Sequence, residues 1–181
     1  YVYFGNNGLY CYDLEGKLLW EKDLGSYFTL NGWGTGSSPV LYQDRLFVQV
    51  DNEENSFLVA LDAETGDELW RKDREESTNY STPMIWKNSL RTELVTGGQT
   101  ARSYDPRTGE LLWELELAGY YNIPSPVATQ DLLYLGNTAF RDKPGTMFCV
   151  KAGAEGDIPP AEGETTSSGV LWSNPDAPTS N

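Results

Sequence analysis

Short runs of apolar residues interleaved with polar ones recur along this chain: Arg45-Leu46-Phe47-Val48-Gln49-Val50, Phe57-Leu58-Val59-Ala60-Leu61, Thr92-Glu93-Leu94-Val95-Thr96, Ala101-Arg102-Ser103-Tyr104 and Leu132-Leu133-Tyr134-Leu135. The runs are too short for helices and are rich in β-branched and aromatic residues. Gly, Pro, Asn and Asp separate them, and that punctuation predicts strands joined by tight turns. The class predicted is all-β.

The runs fall into repeated units. Asp13-Leu14-Glu15-Gly16-Lys17-Leu18-Leu19-Trp20 returns as Asp62-Ala63-Glu64-Thr65-Gly66-Asp67-Glu68-Leu69-Trp70 and as Asp105-Pro106-Arg107-Thr108-Gly109-Glu110-Leu111-Leu112-Trp113. The tryptophans are 50 and 43 residues apart, which is the period of propeller blades and too long for short solenoid repeats. Each residue of the copy suits a hairpin. The Asp accepts turn N–H groups, the Gly takes the positive φ that closes the turn, and the Trp covers the seam to the next unit while its N–H finds a carbonyl. A group repeated once per unit is structural: Asp13, Gly16, Trp20, Asp62, Gly66, Trp70, Asp105, Gly109, Trp113 and Trp172 are read as staples.

A second signature opens each unit: Ser37-Ser38-Pro39-Val40, Ser81-Thr82-Pro83-Met84 and Pro124-Ser125-Pro126-Val127. A Pro at a strand start removes no ladder bond. Four short antiparallel strands per unit make a propeller blade. The expected fold is therefore a β-propeller of four-stranded antiparallel blades, about four blades of a larger, seven- or eight-bladed ring. Residues 1–24 form a partial blade one entered at its second strand, 37–73 blade two, 81–117 blade three and 125–172 blade four. In blade four Lys151 replaces the turn Asp, residues 153–168 are expected to be an inserted surface loop, and 173–181 a connecting tail. Such a segment is expected to present apolar flanks at both ends, with the remaining blades of a parent protein as neighbours.

Ala60-Leu61-Asp62 with Thr65-Gly66 and Trp70, and Asp105 with Thr108-Gly109 and Trp113, resemble the pyrroloquinoline-quinone-like propeller repeat over nearly the whole chain. The resemblance implies a bacterial extracytoplasmic or periplasmic setting. It leaves two functions open: a non-catalytic scaffold, like the lipoprotein that assists outer-membrane barrel assembly, or a quinoprotein alcohol or sugar dehydrogenase using pyrroloquinoline quinone with calcium. Those dehydrogenases present a vicinal Cys-Cys pair, whereas Cys11 and Cys149 lie 138 residues apart at equivalent positions of different blades. They are read as buried thiols. The scaffold reading, without enzyme activity or cofactor, is the one carried forward.

Composition narrows the chemistry further. With 27 acidic against 13 basic residues and a net charge of −14, the chain repels a phosphate backbone, so nucleic acid is excluded as a partner. No apolar run is long enough to span a bilayer. Histidine is absent, which removes the commonest general base and most zinc sites. Asp51, Glu53 and Glu54 are the weak candidates for a cation, against a solvated hairpin loop as the default. In propeller topology the inter-blade connections and the second-to-third hairpins share one face. That face is expected to gather Tyr27, Phe28, Trp33, Asn79, Tyr80, Tyr120, Tyr121 and Asn122, with Arg141 and Asp142 at its rim, to bind a protein or small ligand.

Overall fold

A computed structural model describes residues 1–117, 123–139 and 145–177. The chain divides into two compact units, Tyr1–Asn79 and Tyr80–Asn181. Each contains two sheets.

The first unit opens with β1 (Val2–Tyr3), β2 (Leu9–Tyr12) and β3 (Leu18–Lys22), a three-stranded sheet in sequential order. It continues with β4 (Val40–Tyr42), β5 (Arg45–Val50), β6 (Ser56–Asp62) and β7 (Glu68–Arg74), again paired in order and antiparallel. Pro39 stands immediately before β4, where its missing N–H takes nothing from the ladder. A core of Leu9, Leu24, Leu46, Val48, Val50, Phe57, Val59 and Leu61 is shared by the two sheets, with Tyr3, Trp20 and Tyr27 packed against it.

The second unit holds β8 (Met84–Lys87), β9 (Thr92–Thr96), β10 (Thr100–Tyr104) and β11 (Leu111–Glu116), followed by β12 (Val127–Ala128), β13 (Leu132–Gly136) and β14 (Gly145–Lys151). The strand β16 (Val170–Ala177) completes the last sheet beside β14. Its core joins Trp86, Val95, Trp113 and Leu115 to Leu133, Leu135, Phe148, Val150 and Val170.

Two boundaries differ from the sequence expectation. The inserted segment is not all surface loop. Within it β15 (Gly156–Asp157) adds to the outer strand β11 in parallel, Trp113 opposite Gly156 and Glu114 opposite Asp157, making a five-stranded sheet. The Ile158 N–H donates to the Glu114 carbonyl at 3.0 Å, and its side chain enters the core beside Ala154. An edge strand presents unpaired backbone groups, and the insertion satisfies some of them. Likewise residues 173–177, expected as tail, continue β16.

One device recurs in all four sheets. The residue directly opposite the tryptophan of the blade's last strand is small: Cys11 faces Trp20, Ala60 faces Trp70, Ser103 faces Trp113 and Cys149 faces Trp172. An irregularity in the ladder follows that pair each time, between Cys11 and Tyr12, Ala60 and Leu61, Ser103 and Tyr104, and Cys149 and Val150. A small partner leaves room for each of these four indoles, and the bulge leads the chain into the hairpin that follows, an Asp-to-Gly turn in the first three sheets. Both cysteines are free and buried. Burial raises the Cys149 pKa, which keeps its thiol protonated and a poor nucleophile.

The tryptophans nevertheless play different parts. Trp20 Nε1 donates to the Ala63 carbonyl of the next sheet at 3.2 Å, the seam role expected of it. Trp113 Nε1 instead donates to Glu93 Oε2 at 2.8 Å within its own sheet. Glu93 is fully buried, and its carboxylate also accepts from Ser103 Oγ at 2.6 Å, Asn88 Nδ2 at 2.8 Å and Arg91 Nε at 3.0 Å. A carboxylate taken out of water requires such donors, and it captures the indole that a seam carbonyl takes elsewhere.

Candidate binding face

The hairpin after β5 is built from inside outward. Asp51 and Asn52 are buried rather than solvated, which corrects the default expected for this loop; Glu53, Glu54 and Asn55 are exposed. Asp51 receives Arg74 Nε at 2.9 Å on one oxygen, and Arg74 Nη2 at 3.2 Å on the other, which also accepts from Gln49 Nε2 and Asn79 Nδ2 at 2.7 Å each. The guanidinium lies 4.0 Å from Glu76 as well, and both side chains are withdrawn from solvent. Arg74 is the last residue of β7, so the planar fork clamps the far end of the sheet to the end of β5.

Asn52 shapes the turn itself. Its Oδ1 accepts the N–H groups of Glu54 at 2.8 Å and Asn55 at 2.7 Å, an Asx arrangement that needs no positive φ. The exposed acids then reach outward to the β3–β4 connection. The Glu53 N–H donates to the Phe28 carbonyl at 3.0 Å and Glu54 Oε2 accepts the Phe28 N–H at 2.7 Å, so Phe28 is held on both sides of its backbone. Glu53 Oε1 accepts the Thr78 N–H at 3.0 Å, and Thr78 Oγ1 accepts the Leu30 N–H at 2.9 Å. Asn6 brackets Tyr27 in the same way, at 3.0 and 3.1 Å.

The connection is thus tied down at Tyr27, Phe28 and Leu30, while two of its aromatic side chains face water. Phe28 is 59% exposed and Trp33 is 66% exposed. The other residues expected on this face are placed differently. Tyr27 turns inward, its ring edge-on to Phe57 at 6.0 Å. Asn79 is buried as a ligand of Asp51, and Tyr80 is half-buried. Tyr120, Tyr121, Asn122, Arg141 and Asp142 lie outside the described residues. Sequence reasoning passed over Arg74, Gln49 and Thr78. The only signal was an arginine ending a strand whose alternation points it inward.

The hairpin carboxylates do not fit a calcium site. Calcium takes six to eight oxygens, whereas both Asp51 oxygens and one oxygen each of Glu53 and Glu54 already accept from protein N–H groups. No group of three or more Asp, Glu, Cys or His side chains converges among the described residues. Each cysteine faces a tryptophan in its own sheet.

Comparison with known proteins agrees with this architecture. The sequence family described as outer membrane protein assembly factor BamB matches residues 5–155. Tetrathionate hydrolase of Acidithiobacillus ferrooxidans is 27% identical over 138 residues, 74% of this chain and 26% of that protein. Among solved structures, BamB of Moraxella catarrhalis superposes with a TM-score of 0.51 at 14% identity, over 88% of this chain and 40% of its own. A quinohemoprotein alcohol dehydrogenase of Pseudomonas putida HK5 gives 0.56 at 15% identity, over 94% and 31%. These structural likenesses are of fold, and the chain spans less than half the length of each protein. The four sheets are accordingly blades of a β-propeller, and the chain belongs to the pyrroloquinoline-quinone-like repeat family represented by the outer membrane protein assembly factor BamB.

Proposed function

We propose that this segment is a non-catalytic scaffold of the cell envelope that binds a protein through Phe28 and Trp33. The observation carrying this reading is the anchored connection: backbone bonds to Glu53, Glu54 and Thr78 hold the loop while the two rings stay in water. A pre-ordered loop loses little entropy on binding, and aromatic anchors dominate interface energies. Glu53 and Glu54 each use one carboxylate oxygen to hold a backbone N–H, that of Thr78 and that of Phe28. The family's namesake is an assembly factor for outer membrane proteins, so a partner of that chemistry, an unfolded strand-rich polypeptide, is the first to try.

The test is retention of a urea-denatured outer-membrane β-barrel polypeptide, diluted onto the immobilised chain, by the wild type and by a Phe28→Ser, Trp33→Ser variant. Loss of two aromatic anchors worth about 2 kcal/mol or more each should weaken retention by several hundredfold or more. Equal retention by the variant overturns the face. Dye-linked alcohol oxidation on adding pyrroloquinoline quinone and calcium would overturn the non-catalytic reading.

A further inference from the structure

The last strand of each blade is treated differently from sheet to sheet. Among the described residues β3, β7 and β16 each end their sheet, whereas β11 carries β15 along its far side. The outer edge of a propeller blade points away from the ring, so neighbouring blades do not cover it. Its outward N–H and C=O groups are a template for one more strand.

Blade three shows how such an edge is filled. β15 runs parallel to β11, with Gly156 opposite Trp113 and Asp157 opposite Glu114. The Ile158 N–H donates to the Glu114 carbonyl at 3.0 Å, which fixes Glu114 as a residue whose backbone faces outward. Gly156 brings no side chain against the indole. Asp157 meets an acid, and Glu114 is itself held by Arg102 Nε at 3.2 Å. Just before the strand, Glu155 reaches Arg91 at 3.5 Å.

Of the open edges, β7 is the one shaped for a strand from another polypeptide. β3 has five residues, and β16 contains Pro175, which has no N–H to offer. β7 has seven residues and no proline. In the repeat Trp70 takes the place of Trp113, so Arg71 takes the place of Glu114 and its backbone faces outward in the same way. The charge changes sign at that place, and Lys72 follows it. The Arg71 guanidinium is positioned by Glu68 at 2.8 Å and by the Phe57 ring, 4.0 Å below it, with 31% of its side chain still in water. An acid in the position of Asp157 would thus meet a cation on β7, where on β11 it meets a carboxylate.

We infer that the outer edge of β7 takes up an acidic extended segment of a partner polypeptide as a fifth, parallel strand. A small residue lies opposite Trp70 and an acid opposite Arg71, the arrangement that β15 gives blade three. Main-chain hydrogen bonds supply the affinity and the acid supplies the selection. This surface differs in kind from the exposed rings of Phe28 and Trp33, because it binds through backbone groups.

A fluorescently labelled peptide with the sequence of residues 153–160, titrated into the full chain and followed by anisotropy, tests this. The wild type should bind it saturably. Arg71→Glu, with its fold checked by circular dichroism, should weaken binding about tenfold or more by setting like charges against each other. A peptide with lysine in place of its aspartate should lose affinity for the wild type to a similar degree. N-methylation of the peptide isoleucine, whose N–H would meet the Arg71 carbonyl, should weaken binding about fivefold or more. N-methylation of the aspartate, whose N–H points to the other side of the strand, should leave binding unchanged. Absence of binding to the wild type, equal binding by a folded Arg71→Glu protein, undiminished binding of the lysine peptide, or equal effects of the two N-methylations overturns the inference.

Discussion

Gly66 carries two constraints that act at the same atom. Its φ of 77° lies in the left-handed region, and the Trp20 ring occupies the space a side chain would need. Gly66→Ala is therefore expected to cost about 1–2 kcal/mol for the backbone alone, with a further cost for displacing the indole. Denaturant unfolding of Gly66→Ala in the wild-type and Trp20→Ala backgrounds separates the two: the penalty should shrink once the ring is gone. The Asp62 side chain closes the same turn by accepting the Thr65 and Glu64 N–H groups at 2.9 Å each. The Thr65 N–H bond is the leading cause holding the Asp62 carboxyl below its ordinary value.

Elements in this chain end where a partner is found, and β15 illustrates it. Nothing in Glu155-Gly156-Asp157-Ile158 resembles the strands of the repeat, yet the segment pairs with β11 because that outer strand has an unmet edge. Arg91 secures the approach, its Nη2 donating to the Ala154 carbonyl at 2.5 Å while its Nε holds Glu93 at 3.0 Å. Ile158 then fills a place in the core against Ala154 and Gly169. Ile158→Ala should cost about 2–5 kcal/mol, the range for emptying a buried aliphatic site. Hydrogen exchange should show the Ile158 N–H and the outer strand β11 losing protection before β9 and β10. Uniform protection in the variant would mean that the insertion does not stabilise blade three.

Across the whole molecule the turns share an electrostatic sensitivity. Hydrogen bonds from Ser89 lower the Asp131 pKa as those from Thr65 and Glu64 lower that of Asp62. A carboxylate whose folded pKa is depressed adds stability that is fully present above its unfolded value of 3.8 and lost as pH falls through the folded value. Urea midpoints should therefore hold from neutral pH down to about pH 4 and fall below it. An Asp62→Asn, Asp131→Asn variant should show a shallower acid limb, while an unchanged limb would remove these turns as its cause.

The blade pattern was legible because it is local. Strand alternation and the Asp-to-Gly turn lie within one hairpin, so residue type and spacing settle them, whereas the pairing of a small residue opposite the last-strand tryptophan shows only in the folded ladder. Resemblance to a repeat family and the all-β class followed from the same short-range signals. The destinations of polar side chains were not legible, because their partners are distant in sequence. The sequence places Asp51 in a solvated hairpin loop, and only the approach of Arg74, 23 residues later, makes it a buried clamp. The repeat predicts a seam role for Trp113, but Glu93, 20 residues earlier, claims its N–H. The sequence by itself determined the repeat and its strands through period and turn chemistry. The tertiary structure alone decided which acids serve the fold and which aromatic rings remain in water, since burial of a charge depends on donors that only folding brings within reach.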